Sequence, residues 1–299
     1  MIYIAKEHHI INAKISNIAP ILNAKKTMST FVFSYNNFSI EYKILGSGNE
    51  YMLAFHGMGR SADDFKIFED SLGKRYTIVA INLFFHGNSK YPVNRIFHNQ
   101  IRKDEFVALI EKLLSDLNIN RFSLMGYSLG GRFVLSLVQF LDKRIDRIIL
   151  IAPDGLKRSL YNDITTNTLI GKNFVKWMVK YPEAFFGTVD ALHKYRLISN
   201  KVKKVIHIHF ENHERRVLMR NALSSFKHIN PNLRKVARNI NKSTIELVMI
   251  FGKYDFIIPV KLGELFLKKI KANKKLHLIN SSHNILTENA SKALAELVQ

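Results

Sequence analysis

An α/β fold with a mostly parallel, eight-stranded sheet, helices on both of its faces and a helical insertion is what this 299-residue sequence predicts. Short apolar runs alternate with segments of helical period, first over 50–153 and again from 244 onward. The runs are nearly continuous in their apolar residues, as in strands covered on two sides. Between 156 and 243 the alternation stops, and helical stretches fill the gap.

The elements follow in order. Residues 1–28 carry Ile11, Ile15, Ile18 and Leu22 at helical spacing, interrupted by Pro20. Lys6, Glu7, His8 and His9 break the only candidate signal core, so the segment does not read as secretory. It reads as an extension, either a short docking helix or a leader ahead of Met28, with a dispensable segment favoured. "TFVFSY" and "FSIEYKIL" are strands joined at Asn36-Asn37, a hairpin signal. "YMLAF" is the next strand, ending at His56-Gly57-Met58-Gly59, and a helix capped by Ser61 runs to Leu72. "YTIVAIN" is a strand and "DEFVALIEKLLSDL" a helix; "RFSLMG" is a strand, "LGGRFVLSLVQFL" a helix and "RIILIAP" a buried strand. The core is thus 29–155 and 244–299, with 156–243 as a helical cap, or lid, holding Trp177 and one sheet-like run, "KKVIHIHF". "IELVMIFG", "VKLGELFLKKIKA", "KLHLIN" and "TENASKALAELV" then restore the alternation of strand and helix.

Composition narrows the chemistry. With no cysteine, the chain has no disulfide, thiolate metal site or cysteine nucleophile. No run reaches the roughly 18 apolar residues of a membrane-spanning helix, so a cytoplasmic protein without a transmembrane segment is expected. The formal charge is +21. No nucleic-acid-binding motif accompanies it, so nucleic acid is not an expected partner. The 156–243 segment alone holds 18 Lys and Arg against 5 Asp and Glu, which predicts a lid that favours anionic substrates or surfaces.

The chemistry centres on Gly126-Tyr127-Ser128-Leu129-Gly130, between a strand and a helix. A serine at such a turn is lifted clear of the sheet, beside N–H groups that face developing negative charge. Its hydroxyl needs a base, most often a histidine held by a carboxylate. Asp255 in "FGKYDFIIP" and His283 in "LINSSHNIL" follow later strands and fall at the same sheet edge.

Through "HGMG", "FFHGNS", "GYSLGG", "GKYDFIIP" and "SSH", in that order, the sequence resembles the α/β-hydrolase superfamily from about Phe31 to the C-terminus, outside the insertion. The resemblance implies Ser128 as nucleophile, Asp255 as acid, His283 as base, and the backbone N–H groups of Met58 and Leu129 as oxyanion hole. It also implies a cap at the insertion and no cofactor or metal. Some members take their acid from the preceding strand end, here Asp154; Asp255 matches the commoner position. "NLFFHGNS" departs from the family, which often has an acidic residue and Pro-Gly before His-Gly, and this alters the pocket wall near Phe84. Serine at 128 argues against the members that attack with a carboxylate. Tyr127, Arg132, Phe84 and Trp177 are candidate substrate contacts.

The expected function is hydrolysis of an ester, thioester or related acyl bond of a small substrate, through an acyl-enzyme. Two alternatives stand beside it. Tyr127 and Arg132 in "GYSLGGR" resemble the pyruvate-eliminating synthase of menaquinone biosynthesis, a lyase with the same triad, and a basic cap would suit its anionic substrate. The other is a catalytically inactive binding member of the superfamily. His56 and His86 read as structural. His207, His209 and His213 lack a second ligand group and read as basic surface rather than metal ligands, with the first two on one face of a strand.

Overall fold

Asn36 and Asn37 take φ of 47° and 65°, and this left-handed pair turns Thr30–Tyr35 back on Phe38–Leu45 in a two-residue hairpin. The computed structural model describes residues 2–6, 9–13, 30–157 and 169–298. They divide into a sheet unit (Met1–Pro92, Arg102–Arg158, Ile229–Gln299) and a helical unit (Val93–Ile101, Ser159–His228).

The sheet unit's strands are β1 (Ile2–Lys6), β2 (His9–Ala13), β3 (Thr30–Tyr35), β4 (Phe38–Leu45), β5 (Glu50–Phe55), β6 (Tyr76–Ile81), β7 (Phe122–Tyr127), β8 (Ile145–Ile151), β9 (Glu246–Gly252) and β10 (Lys274–Ile279). Their order is β10-β9-β8-β7-β5-β6-β4-β3-β1-β2. From β10 to β6 every pairing is parallel, and β4 and β3 continue antiparallel. These eight strands are the expected mostly parallel sheet. Residues 2–6 and 9–13 add an antiparallel pair beside β3, so Ile11 lies in a strand where its spacing predicted a helix. Ile15, Ile18 and Leu22 lie outside the described residues.

Helices cover both faces. Ser61 Oγ accepts from the Asp63 N–H and opens a 3₁₀ turn, Ala62–Phe68, that runs into α1 (Glu69–Leu72). Lys103–Asp116 forms α2 and Leu129–Leu141 forms α3. Phe55 of β5 stacks on Phe133 of α3, and both meet Phe106 of α2 edge-on, which ties one face together. The opposite face packs Met52, Ile78, Met125 and Ile250 against Phe65, Phe68 and Leu294. The helical unit holds α4 (Leu169–Lys180), α5 (Pro182–Lys194), α6 (Asn200–Phe210) and α7 (His213–Ser225) around its own small core of Val175, Met178, Phe185, Val189 and Phe210. Back in the sheet unit are α8 (Leu233–Asn241), α9 (Val260–Leu267) and α10 (Glu288–Leu297).

Two expectations change here. "KKVIHIHF" is helical: Ser199 caps α6, and Phe210 is buried with Ile206 against the unit's core. Alternating β-branched residues imitate a strand, but the burial follows a helix. His207 and His209 therefore project about 200° apart rather than on one face. His207 stacks on Phe186, with ring centroids 4.7 Å apart.

The insertion is also divided differently from 156–243. α8 belongs with the sheet: the Asn232 N–H donates to Gln139 Oε1 of α3 at 3.0 Å, and Asn239 Nδ2 donates to the Val138 carbonyl at 3.0 Å. Its buried face is Val236, Ala237 and Ile240. Of the 18 basic residues counted in the insertion, Lys157, Arg234, Lys235, Arg238 and Lys242 thus belong to the sheet unit.

Candidate active site

Ser128 follows β7 directly, with φ 49° and ψ −116°, a backbone conformation that costs on the order of 1–3 kcal/mol for a residue with a side chain. Glycine makes that turn possible. A Cβ on Gly130 would lie 1.8 Å from the Phe55 carbonyl oxygen, and one on Gly126 would lie 2.8 Å from the Gly130 backbone. The strain is held by three backbone bonds. The Ser128 N–H donates to the Ile151 carbonyl, while the Gly131 and Asp154 N–H groups both donate to the Ser128 carbonyl at 2.9 and 2.8 Å.

Asp255 and His283 come from the loops after β9 and β10, so all three side chains sit at the carboxyl ends of parallel strands. His283 Nε2 lies 3.0 Å from Ser128 Oγ, and its Nδ1 lies 2.7 Å from Asp255 Oδ2. The other carboxylate oxygen of Asp255 accepts from the Ile257 and Ile258 N–H groups, both at 2.9 Å, which fixes the side chain. Donation from Nδ1–H to Asp255 leaves Nε2 free to accept from the Ser128 hydroxyl, so the arrangement can move a proton off the serine. Asp154 is not on this chain: it pairs with Arg132, and its Oδ1 accepts from the Gly155 N–H.

The loop after β5 lies against the serine. A Cβ on Gly57 would come within 3.3 Å of the Ser128 Cβ. Met58 follows in this loop, and Leu129 begins α3. Two histidines hold the loop. The Leu83 N–H donates to His56 Nε2 at 3.0 Å, and His56 Nδ1–H donates to the Gly57 carbonyl at 2.7 Å. The Gly59 N–H donates to His86 Nε2 at 3.0 Å, and His86 Nδ1–H donates to the Phe84 carbonyl. Burial, with the neighbouring His86, pushes the His56 pKa down to about 3; burial lowers His86 as well. Both rings are neutral struts.

The four candidate substrate contacts each have partners within the protein. Arg132 is buried and engaged with Asp154. Phe84 is 2% exposed and packs on Phe38 and Tyr91, because φ of 69° at Phe85 turns the chain there. Tyr127 is buried: its hydroxyl donates to the His283 carbonyl at 2.9 Å and its ring stacks on the imidazole. Sequence reasoning missed this tie, although a buried tyrosine beside the serine has to find a partner for its hydroxyl. Trp177 packs within the helical unit against Phe174 and Phe185. Among the described residues, no group of three or more His, Asp or Glu is arranged to hold a metal ion.

Comparison with known proteins bears on the fold. The family described as alpha/beta hydrolase fold matches residues 51–290. An uncharacterised protein of Mycobacterium tuberculosis is 30% identical over 123 residues, 40% of this chain and 33% of that protein. The match thus spans about a third of the length of that relative. An uncharacterised hydrolase of Bacillus subtilis, YugF, is 20% identical over 255 residues, covering 83% of this chain and 88% of that one. Among solved structures, an enol-lactonase from Burkholderia xenovorans superposes with a TM-score of 0.61 at 18% identity, over 89% of this chain and 97% of that one.

Proposed function

The chain belongs to the alpha/beta hydrolase family, and on that premise we propose that it is a serine hydrolase cleaving an ester, thioester or related acyl bond through an acyl-enzyme. The observation that carries the reading is the unbroken chain of hydrogen bonds Ser128–His283–Asp255 at a strained strand-to-helix turn.

In this mechanism His283 Nε2 takes the Ser128 proton as Oγ attacks the acyl carbon. The backbone N–H groups of Met58 and Leu129 stabilise the oxyanion, the Leu129 group adding the positive end of the α3 dipole. His283 then gives its proton to the leaving oxygen or sulfur. A water, deprotonated by the same nitrogen, attacks the acyl-enzyme, and collapse returns Ser128 and the free acid. Asp255 keeps the imidazole in the required tautomer and stabilises its transient positive charge.

The pyruvate-eliminating alternative rested on Tyr127 and Arg132 as substrate contacts. With the tyrosine hydroxyl on His283 and the arginine paired with Asp154, nothing specific favours it. A fluorophosphonate probe tests the main reading: wild type is labelled and Ser128→Ala is not. Equal labelling of the two proteins overturns the assignment, and absence of labelling in both favours an inactive binding protein. A panel of short and long acyl esters and thioesters then fixes the substrate class.

A further inference from the structure

The turn joining α5 to α6 exposes what a water-soluble helical unit would ordinarily bury. Tyr195 is 72% and Leu197 71% exposed, with Leu192 and Val202 also exposed beside them in the sequence. The adjacent Ile198 packs inward with Val189, Phe185 and Ile206, so the chain had an apolar core within reach and still left Leu197 outside. The turn is firmly built. The Tyr195, Arg196 and Leu197 N–H groups donate to the carbonyls of Ala191, His193 and Leu192, and Arg196 takes φ of 58°. Below the turn, Lys203 pairs with Asp190 at 2.9 Å and ties α6 to α5.

Charge says what such a tip fits. Residues 191–204 contain Lys194, Arg196, Lys201, Lys203 and Lys204 and no acidic residue. Lys194, Arg196, Lys201 and Lys204 are exposed. Aliphatic side chains at the apex of a basic segment match an anionic bilayer surface: apolar groups enter the acyl boundary, a tyrosine sits at headgroup level, and flexible lysines reach the phosphates. A single-stranded nucleic acid would offer bases to stack on, which Tyr195 alone of the exposed apolar groups could use, and Leu192, Leu197 and Val202 could not.

We propose that residues 191–204 are a docking tip for anionic lipid bilayers. The proposal is independent of the hydrolase reading, because it concerns where the protein sits and not what it cleaves. The test is sedimentation of the full chain with vesicles of phosphatidylcholine alone, or with phosphatidylglycerol as roughly a third of the lipid. Wild type is expected to bind only the anionic vesicles, more weakly as salt rises. Lys194→Gln/Arg196→Gln/Lys204→Gln should weaken binding roughly fivefold per charge removed. Tyr195→Ser/Leu197→Ser should weaken it about tenfold or more at every salt concentration, since the apolar contribution is not screened. Circular dichroism and an unchanged urea midpoint establish that the variants are folded. Four outcomes overturn the proposal: no binding by wild type, equal binding to the two vesicle types, variants that bind like wild type, or duplex DNA bound in place of vesicles. Self-association through the tip, seen by ultracentrifugation without lipid and lost in the serine variant, overturns it as well.

Discussion

Tyr127 Oη holds the carbonyl of His283, while the imidazole of that same residue bridges Ser128 and Asp255. In the proposed mechanism, removing the hydroxyl loosens the general base His283 without removing a substrate contact. A neutral hydrogen bond contributes about 1 kcal/mol, so Tyr127→Phe should lower kcat roughly fivefold and leave KM unchanged. A raised KM with unchanged kcat would instead make Tyr127 a substrate contact. The two aspartates separate in the same way. Asp255→Asn should keep the fold and lower turnover by up to ~10⁴-fold, through the wrong histidine tautomer. Asp154→Asn leaves the buried Arg132 with a weaker partner and should cost about 2 kcal/mol of stability, with a much smaller loss of turnover. Urea denaturation and steady-state kinetics on both variants check the pair; the reverse ranking would move the catalytic acid to Asp154. The three polar residues were legible in sequence because the turn chemistry around Ser128 and the ends of β9 and β10 are local signals. Tyr127 was not, since its partner lies 156 positions away.

Among the elements, the strands from β3 to β10 stand where the sequence places them; β5 to β9 are buried almost throughout and read as continuous apolar runs, while β3 and β10 are partly exposed and read by alternation. The helical unit was less legible. In α6, Ile206, Ile208 and Phe210 alternate with His207 and His209 as in a half-exposed strand, and only packing against Phe185 and Val189 decides for a helix. That α8 groups with the sheet was hidden for a different reason: it is basic like the rest of 156–243, and its bonds to α3 from the Asn232 N–H and Asn239 Nδ2 carry no periodic signal. The cap that opens α8 is testable. Asn232 Oδ1 accepts from the Arg234 and Lys235 N–H groups at 3.1 Å each and so caps α8. Asn232→Ala should cost about 1 kcal/mol, read as a lower urea midpoint at constant slope. An unchanged midpoint would mean that the Asn232 cap adds nothing to the bonds that the Asn232 N–H and Asn239 Nδ2 make to α3.

At the scale of the whole molecule, the two neutral histidines couple stability to pH. In the unfolded chain His56 and His86 titrate near 6.5; in the fold burial lowers both, His56 to about 3. Between those limits the unfolded state binds more protons than the folded one, so stability is fully present above pH 6.5 and falls as the solution is acidified. Protonation would also place an N–H at His56 Nε2 and His86 Nε2, each of which already faces a backbone N–H, from Leu83 and Gly59. Carboxylates add their own acid dependence only lower down. Burial would raise Glu246, but hydrogen bonds from Lys275 and Arg147 outweigh it and lower its pKa below the ordinary 4.5. Its contribution is therefore present above 4.5 and lost beneath it, and the interval from 6.5 to 4.5 isolates the histidines. Each histidine kept neutral in the fold should remove about 1.4 kcal/mol per pH unit there. Urea midpoints taken across this interval should fall steadily, and His86→Gln should make the fall shallower, since glutamine does not titrate and can still accept from the Gly59 N–H. A flat profile in wild type would mean that both rings protonate inside the fold, and that they do not hold the Gly57–Gly59 loop against Ser128 as neutral acceptors.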